Sequence, residues 1–295
     1  MTWYAARRAQ RPCRFDVLKE KRFDVMNTNN DFKRALAAGR PQIGVWSTLP
    51  HPYISELVAG CGFDWVLLDT EHTPTDVPLI MQQLQAVDAA VLTSGHRTCP
   101  VVRPAWNDTV LIKRYLDVGA KSLLLPFVQN AAEAAAAVAA TRYAPKGVRG
   151  MGGATRASNF GRSADYAMTA DQDLCVLVQI ETQAALDKIE EIAAVEGIDG
   201  IFIGPADLSA SMGYADNPRH PAVDAAVDDA IKRIKACGKA PGILMVDPVR
   251  AKQCLELGAL FVAVAIDLLA LRGGLDAALS DFKGDLAGVP VQSSY

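Results

Sequence analysis

The chain is predicted to be an α/β protein built as an eight-stranded (β/α)8 barrel, and three observations carry that prediction. From residue 42 onward, short apolar, β-branched runs alternate with stretches of helical period, the pattern of parallel βα units. The runs have near-continuous Val, Ile, Leu and Phe character, which marks strands buried on both faces, as in a barrel wall. Eight strand–helix pairs fit the 295 residues as one unit, since such barrels routinely use about 250. A doubly wound open sheet is the structural alternative. It would normally show a glycine-rich first turn, and Trp46-Ser-Thr-Leu-Pro is not one.

Taken in order, a lid-like helix is expected at Asp31 to Ala38, ahead of the first strand. The strands are expected at Gln42 to Trp46, Trp65 to Asp69, Pro100 to Arg103, Ser122 to Pro126, Cys175 to Ile180, Gly200 to Gly204, Gly242 to Val246 and Phe261 to Ile266. Between them, Pro52 opens a helix in the way an N1 proline does, and Ile54, Leu57, Val58 and Cys61 keep the spacing of a face laid on a sheet. Val223, Val227, Ala230, Ile231 and Ile234 do the same further on. Arg142 to Asp173 is too long for a plain connection. Because it follows a helix, its direct route lies at the N-terminal face of the barrel, and it must double back to touch a site at the top.

The barrel domain is expected over residues 26–285, with 286–295 as a C-terminal tail. Residues 1–25 set Arg7, Arg8, Arg11, Arg14, Lys19, Lys21 and Arg22 against three acids with no periodic apolar face, and read as a disordered extension. Half the residues are apolar, 21% are charged and the net charge is -3, so a large core is available and no basic footprint for nucleic acid exists. Ala259 to Leu271 is too short to span a bilayer and is interrupted by Asp267. Six scattered cysteines without CxxC spacing suit reduced thiols and a cytoplasmic setting.

In a (β/α)8 barrel, active sites form at the C-terminal ends of the strands. Those ends read Asp69-Thr70-Glu71-His72, Arg103-Pro104, Gln179-Ile180-Glu181, Gly204-Pro205-Ala206-Asp207 and Asp267. Glu181 and Asp207 read as ligands of a hard divalent cation, against the alternative of ordinary acids at helix starts. His72 is the histidine at a strand end and suits a general base, against a hydrogen-bonded structural role; His51, His96 and His220 fall in loop or helix-start contexts. Arg103 suits a clamp for a carboxylate or enolate, or else a salt bridge to Glu71 or Asp69. Asp69 and Glu71 flank His72 and suit orienting the ring or holding metal-bound waters. No lysine ends a strand, which disfavours Schiff-base chemistry. The loops after the last two strands, at Asp247 and Asp267, are acidic and lack glycine, so a small carboxylate substrate fits better than a phosphorylated one.

Five segments, in order, carry a resemblance: Phe63-Asp-Trp-Val-Leu-Leu-Asp-Thr-Glu-His72, Pro100-Val-Val-Arg-Pro-Ala-Trp-Asn-Asp108, Val178-Gln-Ile-Glu-Thr182, Gly204-Pro-Ala-Asp-Leu-Ser-Ala-Ser-Met-Gly-Tyr214 and Gly238-Lys-Ala-Pro-Gly-Ile243. From about Met26 to Leu279 the chain resembles the HpcH/HpaI family of metal-dependent pyruvate aldolases. The resemblance implies a barrel of the phosphoenolpyruvate/pyruvate type. It implies reversible cleavage of a 4-hydroxy-2-oxo acid to pyruvate and an aldehyde through a pyruvate enolate, with a divalent ion (Mg, Mn or Co) and no organic cofactor. 4-Hydroxy-2-oxoheptanedioate, giving succinic semialdehyde, is favoured; 2-dehydro-3-deoxyglucarate and 2-keto-3-deoxyrhamnonate are alternatives, and acyl-CoA cleavage a further one. It makes His72 the proton acceptor, Arg103 the enolate stabiliser, and Glu181 and Asp207 the metal ligands, with Gln179, Ala206 and Asp207 holding substrate. It also makes Asp117 a tuner of His72 basicity, in its own or a neighbouring subunit. A homohexamer, a trimer of dimers exchanging the helix Leu268 to Leu279, is implied as well.

Overall fold

Eight runs of β-branched and apolar residues pair edge to edge until the last meets the first. The computed structural model describes residues 30–283, so the extension at 1–25 and the tail at 286–295 lie outside the described residues. The strands are β1 (Gln42–Ser47), β2 (Trp65–Asp69), β3 (Cys99–Arg103), β4 (Ser122–Leu125), β5 (Cys175–Ile180), β6 (Gly200–Ile203), β7 (Ala240–Leu244) and β8 (Phe261–Ile266). They form a closed parallel barrel in sequence order, β8 pairing with β1. Each expected strand is present, within two residues at either end. No described helix is long and apolar enough to cross a membrane.

Alternate residues face opposite sides of the wall. Trp46, Trp65, Leu67, Val101, Leu124, Leu177, Phe202, Leu244 and Phe261 form the interior cluster. Val45, Val66, Leu68, Val102, Leu123, Val176, Val178, Ile201 and Ile243 face the helices. The interior is a column of aromatic rings: Phe32 touches Trp65 and Phe261 at centroid distances of 5.8 and 6.0 Å, Phe202 lies 5.9 Å from Phe261, and Trp46 caps the column 5.5 Å from Phe202. Gly44 makes room for the Trp65 indole, where a Cβ would stand 2.1 Å from the ring.

The helix Asp31–Ala37 is a floor rather than a lid. Its capping residue Asn30 donates to Ser122 Oγ at 2.9 Å and to the Asp173 carbonyl at 3.0 Å, at the beginnings of β4 and β5. Phe32 thereby enters the barrel from its N-terminal mouth, fully buried, a contribution of about 1.5–3 kcal/mol.

The helix Pro221–Ala236 buries the five residues expected of it. The helix Pro52–Ala59 does not: it buries Ser55, Val58 and Ala59, leaving Leu57 and Cys61 exposed. The cause is its packing against the helix Val77–Ser94, from which Gln83 donates to Ser55 Oγ at 3.0 Å. The segment 142–173 holds a 3-10 turn at Arg156–Ser158 and a helix at Tyr166–Asp173. It packs under the end of the helix Thr109–Asp117: Arg156 donates to the Val118 carbonyl at 3.0 Å and pairs with Asp88 at 2.6 Å.

Candidate active site

Period-two alternation decides which polar groups look inward. Trp65, Leu67 and Asp69 share one side of β2; Val101 and Arg103 share one side of β3; Leu177, Gln179 and Glu181 share one side of β5 and its extension. The polar members are the last of each series, so they lie together at the C-terminal mouth. Register sets Asp69 beside Arg103 and Ile180 beside Ile203, which brings Glu181 alongside Gly204.

Arg103 is 5% exposed and lies 4.7 Å above the Trp46 ring. Its Nε and Nη2 donate to the two oxygens of Asp69 at 2.9 and 2.8 Å, a bidentate pair. Nη1 reaches the remaining acceptors, Glu71 Oε2 at 2.8 Å and Gln179 Oε1 at 3.5 Å. The salt bridges to Asp69 and Glu71 foreseen as an alternative are therefore present, and they aim the guanidinium instead of consuming all of it. Burial pushes Asp69 up, but the hydrogen bonds and charge of Arg103 overcome it and hold the carboxyl below its usual range.

Glu181 is 2% exposed. Its Oε1 accepts the Phe127 backbone N–H at 2.9 Å and its Oε2 accepts the Gln179 amide. Gln179 thus bridges Arg103 and Glu181. Burial, reinforced by the charges of Asp207 and Glu71, raises the Glu181 carboxyl to about 7. Burial likewise raises Glu71 to about 6, with Asp69 and Asp207 pushing the same way and Arg103 opposing. Glu71 Oε2 is buried and, although close to Arg103 Nη1, has no aligned hydrogen-bond donor.

Asp207 lies in the first turn of the helix Pro205–Ser211, exposed at the mouth. Pro205 has no N–H to leave unpaired, and the first helical bond runs from Leu208 N–H to the Gly204 carbonyl at 3.0 Å, so the Ala206 amide precedes the ladder. His72 has a side chain 61% exposed, 3.8 Å from Glu71 Oε2. A pocket lined by Trp46, His72, Arg103, Gln179, Ala206 and Asp207 joins these groups.

A hard divalent cation fits this donor set. Burial and neighbouring carboxylates raise the proton affinity of Glu71 and Glu181, one buried oxygen lacks a donor, and the nearest guanidinium is already bound to Asp69. Among the described residues, no group of three or more His, Cys, Asp or Glu side chains closes into a preformed metal cage. A two-carboxylate site sits below that number and leaves positions for water and substrate.

Two acids named from the sequence have other partners. Asp267 accepts from Ser47 Oγ, Thr48 N–H and Leu49 N–H at 2.9, 2.8 and 3.1 Å, stapling the loop after β1 to the end of β8. Asp117 ends its helix, half-buried, and accepts from Arg149 Nη2 at 2.9 Å. Helices here run antiparallel to strands, so within one chain Asp117 stands toward the face opposite His72. His51 and His220 cap helices, as their contexts suggested. Phe127, Trp46 and Gly204 were not singled out from sequence. Of these, Gly204 alone carried a signal, as the residue between β6 and an N1 proline.

The profile of the HpcH/HpaI aldolase/citrate lyase family matches residues 42–273. A Salmonella arizonae protein named 4-hydroxy-2-oxo-heptane-1,7-dioate aldolase is 56% identical over 257 residues, which cover 87% of this chain and 95% of the relative. A Klebsiella pneumoniae protein of the same name is 55% identical, covering 86% and 94%. Among solved structures, an HpcH/HpaI aldolase/citrate lyase family protein from Burkholderia cenocepacia superposes with a TM-score of 0.82 at 36% identity, covering 86% of this chain and 99% of the other. With the profile running from β1 into the C-terminal helix, and relatives matched over almost their whole length, this chain belongs to the HpcH/HpaI aldolase/citrate lyase family.

Proposed function

We propose that this chain cleaves 4-hydroxy-2-oxoheptanedioate reversibly to pyruvate and succinic semialdehyde, using a divalent ion (Mg, Mn or Co) held by Glu181 and Asp207. One observation carries the reading: a buried, hydrogen-bonded Glu181 sits among like-charged carboxylates beside an Arg103 already fixed by Asp69. The names of the relatives support the choice of substrate.

A divalent ion supplies Lewis-acid polarisation of a 2-oxo acid carbonyl when bound. The protein's own groups do the rest. Gln179 and the Ala206 amide hold the keto-acid end. His72, exposed at the mouth, takes the proton from the C4 hydroxyl as the C3–C4 bond breaks and the aldehyde carbonyl forms. The bond's electron pair passes to the pyruvate half as an enolate, whose oxygen faces the Nη1 edge of Arg103. Protonation at C3 then gives pyruvate, and addition is the reverse.

Asp117, held at the far face and partly exposed, would raise the basicity of His72 in a neighbouring copy. Support for assembly comes from the helix Asp267–Lys283, on which only Asp267 is buried while Leu268, Leu271, Leu275 and Leu279 are 44–62% exposed. An exchanged helix in a trimer of dimers would cover them. Acyl-CoA cleavage finds less support, because in the 142–173 segment Arg149 is buried against Asp117 and Arg156 is paired with Asp88. Sugar-acid substrates share the pyruvate half, and only the aldehyde half separates them.

The test is exchange of pyruvate methyl protons in deuterated water with added Mg, Mn or Co and then with chelator, followed by a panel of aldehydes ranked by kcat/KM. Metal-dependent exchange with succinic semialdehyde ranked first is expected. No exchange in the metal-loaded protein would overturn the reading.

A further inference from the structure

The geometry points to Phe127 as a positioning residue whose left-handed backbone, locked by stacking on Trp106, aims an amide at Glu181 and holds that carboxylate in ligand geometry. Three described residues other than glycine have positive φ. Asn159 and Phe160 lie in the 142–173 segment; Phe127, at φ 54°, stands at the barrel mouth two residues past the end of β4. A bulky side chain rarely occupies this region, and such outliers cluster where the surrounding structure imposes them.

The reason lies in amide direction. Along an extended strand, successive N–H groups point to opposite neighbours. Here two consecutive ones point toward the end of β5 and the residue that follows it. Val128 N–H donates to the Gln179 carbonyl at 2.9 Å, continuing the β4–β5 ladder, while Phe127 N–H donates to Glu181 Oε1 at 2.9 Å. Only a reversal at Phe127 allows both. With Gln179 on the other oxygen, Glu181 is gripped from two sides and keeps a lone pair on each oxygen for a ligand.

Burial does not explain the conformation, because the Phe127 side chain is 38% exposed. Its ring instead stacks on Trp106, from the loop after β3, at 5.4 Å and 29°. The chain of support runs from Trp106 through the Phe127 ring and backbone to Glu181, and so couples the β3 and β4 loops to one carboxylate. This rests on the reading of Glu181 as a divalent-cation ligand.

The experiment measures Mn2+ affinity by electron paramagnetic resonance, with circular dichroism melts and pyruvate exchange alongside, for wild type, Phe127→Asn, Phe127→Val, Phe127→Pro and Glu181→Gln. Asn tolerates the left-handed region and keeps the amide but loses the stack on Trp106, so Phe127→Asn weakens Mn2+ binding less than Phe127→Val does. Phe127→Val disfavours that region and Phe127→Pro deletes the donor, so each weakens Mn2+ binding about tenfold or more. The exchange reaction then regains its rate at saturating Mn2+, a loss that sits in metal affinity and not in kcat. If Phe127→Pro fails to fold, Phe127→Val decides. Wild-type affinity in a folded Phe127→Val or Phe127→Pro overturns the inference, as does equal weakening in Phe127→Asn and Phe127→Val. Wild-type affinity in Glu181→Gln is a separate result, and it overturns the metal reading beneath.

Discussion

Gly204→Ala adds one methyl group at the junction of β6 and the helix that carries Asp207. The glycine has an ordinary φ of -97°, so alanine meets no backbone penalty and the effect is steric. The new Cβ would lie 2.8 Å from Glu181 Oε2, 3.0 Å from Glu181 Cβ and 3.1 Å from Gln179 Nε2. Against an ordinary contact of about 3.5 Å, relief takes a movement of about 0.5–0.7 Å. A functional constellation must be held to about 0.5 Å, so this shift is large enough to spoil it. Overpacking of this kind costs about 1–3 kcal/mol, and Glu181 cannot yield freely because both of its oxygens are engaged. The expected outcome is a folded protein with a lower melting temperature and Mn2+ affinity reduced about tenfold, read by thermal melts and metal titration. Gly153→Ala, where a Cβ meets nothing within 4 Å, is the control. A Gly204→Ala protein that binds Mn2+ and cleaves substrate like the Gly153→Ala protein would refute the placement of Glu181 at the metal.

Other outcomes follow from the same geometry. In metal-free protein the Glu181 carboxyl binds its proton up to about 7 against an ordinary 4.5, so the folded state holds more protons than the unfolded state between those pH values. The Glu181 contribution to stability therefore falls as pH rises across that window, by about 3 kcal/mol at about 1.4 kcal/mol per pH unit, and denaturant unfolding of Glu181→Gln should keep only the smaller fall that Glu71 produces below about 6. Metal binding near pH 6 should release a proton, read as a buffer-dependent binding enthalpy. Arg103→Ala leaves the Asp69 carboxylate buried without its partner and should lower stability by about 3–5 kcal/mol in melts. His72→Ala, which removes an exposed ring beside Glu71 and neither of the proposed ligands, should slow cleavage about 10²–10⁴-fold while leaving Mn2+ affinity near wild type. Leu271→Asp with Leu275→Asp should dissociate the proposed assembly in sedimentation, since both side chains are at least half exposed in one chain.

Where a strand is buried on both faces, its composition is the signal, and β1, β2, β5 and β8 were legible to within a residue for that reason. β7 was harder. The expected strand begins at Gly242, yet Ala240 and Pro241 also belong to it, and Gly242 leaves space for the Phe261 ring. Strand ends also exposed Arg103, Glu181 and Asp207, because in a parallel barrel position along the chain fixes position along the axis. What stayed hidden depends on side-chain and backbone direction. Nothing in Pro126-Phe127-Val128 marks a left-handed residue, and nothing at Gln179 shows that its amide bridges Arg103 to Glu181. Asp117 and Arg149 are 32 residues apart, and only folding of the 142–173 segment beneath the barrel joins them. The helix Pro52–Ala59 showed an apolar stripe, but a neighbouring helix, not the sheet alone, chose which side to bury.

The central claim is that one divalent ion sits between the carboxylates of Glu181 and Asp207. Anomalous scattering from a crystal soaked in Mn2+ and pyruvate measures it directly. A single peak per chain within about 2.0–2.3 Å of both carboxylates, lost in Glu181→Gln, is the predicted result. A peak elsewhere, or none at this mouth while pyruvate is bound, contradicts it.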